Sequence, residues 1–309
     1  MAGSVADCRS ERTGALAAWR WIPAAACVLL ALGFWAASSY VGHLPVADQF
    51  DGVMLFDMWA GLFGALVGFA LVSCLYAVVW LSGVLALGDR VRRWTVGAWV
   101  GTVLVLLATV FALLFIGGSN APDSVDKSLA TQSRPLIVVA ALSQVPGLAG
   151  FLALRFIASE DAHWGESGAC RLRLVLRLRT ELRRLLTMFG AFLTLLVITT
   201  GLRRRALLEL DPALALPAEQ VLLYGLVFAV LLGLFYVLAA GAIDRRAEAL
   251  LDEFAPLPDP ADATLTEVLR RRTDLASLTG GGGSWRTFET TVVIAAPLLT
   301  ALIGSAIGS

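Results

Sequence analysis

The sequence predicts an all-α fold, a polytopic bundle of transmembrane helices, and three observations carry that prediction. Of the 309 residues, 58% are hydrophobic and only 16% are charged, far too apolar a balance for a water-soluble domain of this size. Uncharged runs cover residues 21–47, 58–88, 94–122, 135–154, 185–202, 220–243 and 290–309, each near or above the roughly 18 residues that cross hydrocarbon as a helix. The runs are continuously apolar and not alternating, which speaks against the strands of a membrane barrel. The expectation is about seven spans, or six if 185–202 is re-entrant. Residues 1–20 form a tail, and 21–309 form a single membrane domain with polar segments at 155–184 and 244–288.

Charge placement orients the bundle. With the N-terminus in the cytosol, nineteen of the Lys and Arg residues fall on the inner side, and five, Lys127, Arg134, Arg203, Arg204 and Arg205, on the outer side. The first outer loop, HLPVADQFDGVMLFD, holds three aspartates and no Lys or Arg. The positive-inside rule therefore predicts a cytosolic N-terminus, and seven spans place Ser309 outside. The triplet Arg203–Arg205 lies on the wrong side for this arrangement, which is why a re-entrant or tilted fifth run enters the reading.

The first run follows Arg9, Arg12 and Arg20 and is longer than the core of a cleaved signal, so it reads as an anchor. Gly64 with Gly68, Gly97 with Gly101, and Gly304 with Gly308 each have the spacing that lets helices approach closely. Trp21, Trp94 and Trp285 fall at predicted inner ends and Trp59 at an outer one, the positions of an interfacial belt. In the fourth run, SQVPGLAG puts Ser143, Gln144 and Pro146 near mid-span. Proline there removes a helical hydrogen bond and predicts a kink or break, with Gln144 bonding a neighbour such as a threonine of the fifth run.

Arg171 to Arg179 reads RLRLVLRLR, an alternation that suggests a strand. On a helical wheel, however, Leu174, Val175, Leu178, Leu182, Leu185 and Leu186 share one face, with Arg173, Arg177 and Arg184 opposite. No second strand candidate exists to pair with it, so the segment is predicted to be the cytosolic half of a helix that continues into the fifth run. Glu181 is flanked by Arg177 and Arg184 at helical spacing. Arg171, Arg173, Arg177, Arg179, Arg183 and Arg184 form a juxtamembrane cluster suited to an anionic leaflet or a protein partner.

The sixth run continues as DRRAEALLDEF until PLPDPAD interrupts it. A short helix follows, LTEVLRRRTDLASL, opened by a Thr264–Glu267 capping box. TGGGGSW then reads as a flexible hinge, without the lysine of a phosphate-binding loop, and leads to the last helix.

No ionisable residue falls near the centre of any run, which argues against a proton-relaying pump or carrier. His43 and His163 lie in different loops on opposite predicted sides, and the four cysteines are scattered, so neither a metal site nor a disulfide framework is expected. A nucleophile elbow and an HExxH motif are both absent from the sequence, so no enzyme activity and no cofactor are expected. Zero formal net charge gives no overall attraction to nucleic acid. The 23 arginines against one lysine, with abundant Ala and Leu, fit a GC-rich bacterial genome.

The functional expectation is a non-enzymatic, multi-pass protein of the bacterial plasma membrane. It is read as a scaffold, channel-like subunit or membrane effector that meets anionic lipids, another copy or a protein partner through its basic cytosolic segments. The alternative is a passive or ion-coupled small-solute transporter with a mid-membrane site near Gln144 and Pro146.

Overall fold

The computed structural model describes residues 22–44, 47–50, 53–85, 93, 96–97, 100–101, 125–159, 168–210, 218–256, 265–279 and 284–306. Within them the chain is helical, with no strand. Helix α1 spans Ile22–Gly42, α2 Met54–Leu85, α3 Val125–Leu142, α4 Val145–Ser159, α5 Gly168–Leu210, α6 Ala218–Phe254, α7 Leu265–Thr279 and α8 Ser284–Ala306, with a 3-10 turn at Ala47–Phe50.

Among the described residues, five segments are long and apolar enough to cross a membrane: Ala24–Gly42, Met54–Ser82, Pro135–Ser159, Gly168–Leu210 and Val221–Phe254. These mark the chain as a membrane protein. The last apolar helix, Thr290–Thr300, is shorter. The run 94–122 lies outside the described residues except for a few helical positions, as do residues 257–262 of the PLPDPAD break, Thr264 of the capping box, the four glycines before Ser284, and Gly308.

The arginine–leucine alternation is helical. α5 is one uninterrupted 43-residue helix, roughly 64 Å long and twice the thickness of a hydrocarbon core. It contains no turn at 185–202 of the kind a re-entrant segment requires, and Arg203–Arg205 belong to the same helix. The wheel reading also holds, since Val175, Leu178, Leu182, Leu185 and Leu186 are all buried while Arg173, Arg177 and Arg184 are exposed. The partner of this leucine face is the chain itself, because α5 packs on α2, α4, α6 and α8.

Close contacts give the relative directions of the helices. α1 and α2 are antiparallel and meet through glycine: a Cβ on Gly68 would fall 2.6 Å from the Leu30 carbonyl oxygen, and one on Gly64 would fall 2.7 Å from that of Phe34. The small-residue spacing at 64 and 68 thus permits backbone contact. Gly97 and Gly101, by contrast, face open space. α2 and α4 run parallel, with Ser73 beside Gln144 and Trp80 beside Gly150. α5 is antiparallel to α4, pairing Leu185 with Gly150 and Phe189 with Gly147. α6 is antiparallel to α5, with Arg171 on Glu253 and Arg179 on Asp244.

Two expectations are corrected. Trp59 is no interfacial anchor: it is 2% exposed and packs between Phe56 and Phe63, with ring centroids 5.4 and 5.5 Å away. Phe56, Trp59 and Phe63 follow one helical face, so the rings pack on one another and leave the lipid boundary. Cys170 is disulfide-bonded, whereas Cys27 and Cys74 are free, so the scattered cysteines do not all stand alone.

Candidate functional site

Ser73 and Tyr76 lie three residues apart on α2, close to one turn, about 4.5 Å along the axis, and turn toward the same side. Each anchors a small polar cluster inside an otherwise apolar bundle.

The first cluster is neutral. α3 ends and α4 begins at Ser143–Gln144, because Pro146 has no N–H to offer the Leu142 carbonyl and the helix cannot pass straight through. The predicted break is therefore a turn between two helices. Its backbone amides remain bonded, Ser143 N–H to Val139 O at 3.0 Å and Gln144 N–H to Ala141 O at 3.1 Å. The Gln144 Nε2 donates to Ser73 Oγ at 3.1 Å and to Ser143 Oγ at 3.2 Å. The two serine hydroxyls donate in turn to the carbonyls of Ala70, at 2.9 Å, and Ala140, at 2.7 Å.

Ser73, Ser143 and Gln144 are all buried, and Pro146 is buried with them. The partner of Gln144 is thus a serine of the second apolar run and not a threonine of the fifth. The Thr194, Thr199 and Thr200 hydroxyls of α5 donate to the carbonyls of their own helix, those of Gly190, Leu195 and Leu196.

The second cluster is charged. Glu181 is 6% exposed; its Oε2 accepts the Tyr76 hydroxyl at 2.5 Å and its Oε1 accepts Arg184 Nη1 at 3.0 Å. Arg184 also reaches the Tyr76 oxygen, so the three groups close on one another. The Arg184 side chain is 51% exposed, which connects the cluster to the surface. This interior acid escaped the sequence reading, in which Glu181 served only to accompany Arg177 and Arg184. The available signal was its angle on the wheel, about 40° from Leu185 at the border of the leucine face, together with a tyrosine in the second apolar run.

The six arginines of the juxtamembrane cluster divide. Arg171 donates through Nη1 to both carboxylate oxygens of Glu253 at 2.7 Å, Arg179 to Asp244 at 2.6 Å, and Arg184 to Glu181. Arg173, Arg177 and Arg183 are exposed on the outside of the α5–α6 pair. Arg272 of α7 donates to Asp252 at 2.8 Å and to the Ala255 carbonyl at 3.1 Å, bracing the short helix against the end of α6.

Among the described residues no group of three His, Cys, Asp or Glu side chains is placed to hold a metal ion. An open groove of about 650 Å³ between α1 and α3, lined in part by Trp35, Tyr40, His43 and Gln132, lies at the opposite end of the bundle from Glu181. Comparisons with models of protein families, with curated proteins and with solved structures matched none of them.

Proposed function

We propose that the chain is a multi-pass protein of the bacterial plasma membrane, with its N-terminus in the cytosol, that acts without catalysis as a membrane adaptor. Helices α5 and α6 extend beyond their apolar portions as a paired cytosolic stalk, and α7 is braced against that stalk. The exposed arginines of the stalk meet anionic headgroups or an acidic protein partner. The seven-span count is supported by connectivity: α2 and α4 point the same way, so the chain must return along the bundle between residues 85 and 125. The uncharged run 94–122 is long enough for that return.

One contrast carries the adaptor reading. The polar groups inside the bundle are engaged with one another, while the stalk is stiffened by ion pairs and is continuous with two apolar helices. A solute transporter is the second reading, favoured by the turn at Ser143–Gln144, since interrupted helices at mid-membrane bind solutes in known transport folds.

Water access separates the two. In proteoliposomes of the full chain lacking its native cysteines, Ser73→Cys and Ser143→Cys should resist a small water-soluble thiol reagent, because that cluster is dry in an adaptor. Fast labelling at both positions from either side would favour transport.

A further inference from the structure

We propose that Tyr76, Glu181 and Arg184 form a latch between α2 and the stalk helix, and that a proton arriving from the cytosolic side opens it. The inference stands whether or not the stalk binds a partner.

The geometry has the required parts. Glu181 is buried where α2 and α5 meet, and each of its two oxygens holds one partner: Tyr76 on the neighbouring helix and Arg184 on its own. Ionised, the carboxylate accepts both bonds, and both are charge-assisted, the one from Tyr76 also short. Protonated, it has lost the charge that attracts the guanidinium, and one of its oxygens has become a donor that no longer accepts as before. The proton lands on a carboxylate oxygen and no other bond is made or broken.

A route for the proton exists, because the partner on Oε1 is half exposed and the buried acid is one side chain away from the surface. Released, Arg184 extends toward the headgroups, as long cationic side chains at a membrane boundary do. The link from α5 to α2 then loses its charge-assisted bonds and is weakened. The stalk keeps its hold on α6 through Arg171–Glu253 and Arg179–Asp244, so the α5–α6 pair would shift against α2 as a unit.

Among the described residues, the surroundings offer no replacement acceptor of the same kind. α2 contributes Tyr76 and the half-buried Cys74, and α4 contributes exposed Arg155. From α6 come Asp244, already bound to Arg179, with Arg245 and Arg246. On α5 itself the neighbours are Arg177, Arg183 and Arg184, and the described α8 side chains from Thr290 onward are uncharged. Glu267, Arg270, Arg272 and Asp274 of α7 belong to the far end of the stalk, where Arg270 pairs with Glu267 and Arg272 with Asp252.

The test uses the full chain in lipid nanodiscs, with native cysteines replaced by serine and spin labels at Ser82→Cys and Arg173→Cys. Distance distributions are recorded at about pH 8 and about pH 3, above and below the usual range of carboxylates. The latch predicts a shifted or broadened distribution at the lower pH. It also predicts that Glu181→Gln adopts that distribution at both pH values. An unchanged wild-type distribution overturns the proposal, and so does a pH-dependent shift that persists in full in Glu181→Gln. If that variant does not fold, Tyr76→Phe replaces it: its pH step should fall to half or less, and a step of wild-type size is the contrary result.

Discussion

Ser73 and Tyr76 sit one turn apart on α2, yet the clusters they anchor differ in kind. Around Ser73 the groups are neutral, wholly buried and closed on one another. Every hydroxyl there also has a backbone carbonyl of its own helix, so deleting the glutamine leaves little undone. Around Tyr76 the central group is a carboxylate, which tolerates burial only while its partners are present, and one of those partners reaches the surface. A polar group inside a helical bundle is therefore not a functional site by polarity alone; what matters is whether its partners can leave.

Stability measurements of the full chain in detergent or bicelles can break this comparison. Glu181→Ala should be the most damaging change, about 3 kcal/mol, since it strips Arg184 and the Tyr76 hydroxyl of a shared acceptor. The half-exposed arginine keeps that figure at the low end of its class. Tyr76→Phe removes one hydrogen bond to a charged group and should cost about 1.5 kcal/mol. Gln144→Leu should cost only about 0.6 kcal/mol, because interhelical hydrogen bonds within membranes average no more than that and both serines retain their carbonyls. A ranking with Gln144→Leu above Glu181→Ala would reverse the assignment of the two clusters.

The smallest effect is expected from Arg171→Gln, below about 0.5 kcal/mol. Its partner Glu253 is half exposed, and exposed pairs contribute little and weaken with salt. Raising salt should erase the difference between this variant and the wild type, while the Glu181→Ala difference should persist.

Much of the architecture could be read in the residues before any coordinates. The helix through RLRLVLRLR was legible because the leucines keep a 3.6-residue period for longer than the alternation keeps a period of two. The break at Pro146 and the continuation of α6 into DRRAEALLDEF followed from backbone chemistry. Contacts distant in sequence were harder to read. Tyr76 and Glu181 are 105 residues apart, and no pattern in either segment names the other. Gln144 announced a need for a partner, but whether a serine or a threonine supplied it depended on how α2, α4 and α5 pack. Trp59 was misplaced for a related reason: the aromatic belt is a rule for faces that meet lipid, and Phe56 and Phe63 turn this face inward.

The account rests on a bundle that crosses the membrane with its arginine-rich stalk on the cytosolic side, and sided labelling tests that most directly. Full-length chains lacking native cysteines and carrying either Met54→Cys or Arg173→Cys would be exposed to a membrane-impermeant maleimide in intact spheroplasts and in inside-out vesicles. Met54→Cys should label in spheroplasts and Arg173→Cys only in inside-out vesicles. Labelling of Arg173→Cys in intact spheroplasts, or of both positions from the same side, would contradict the account.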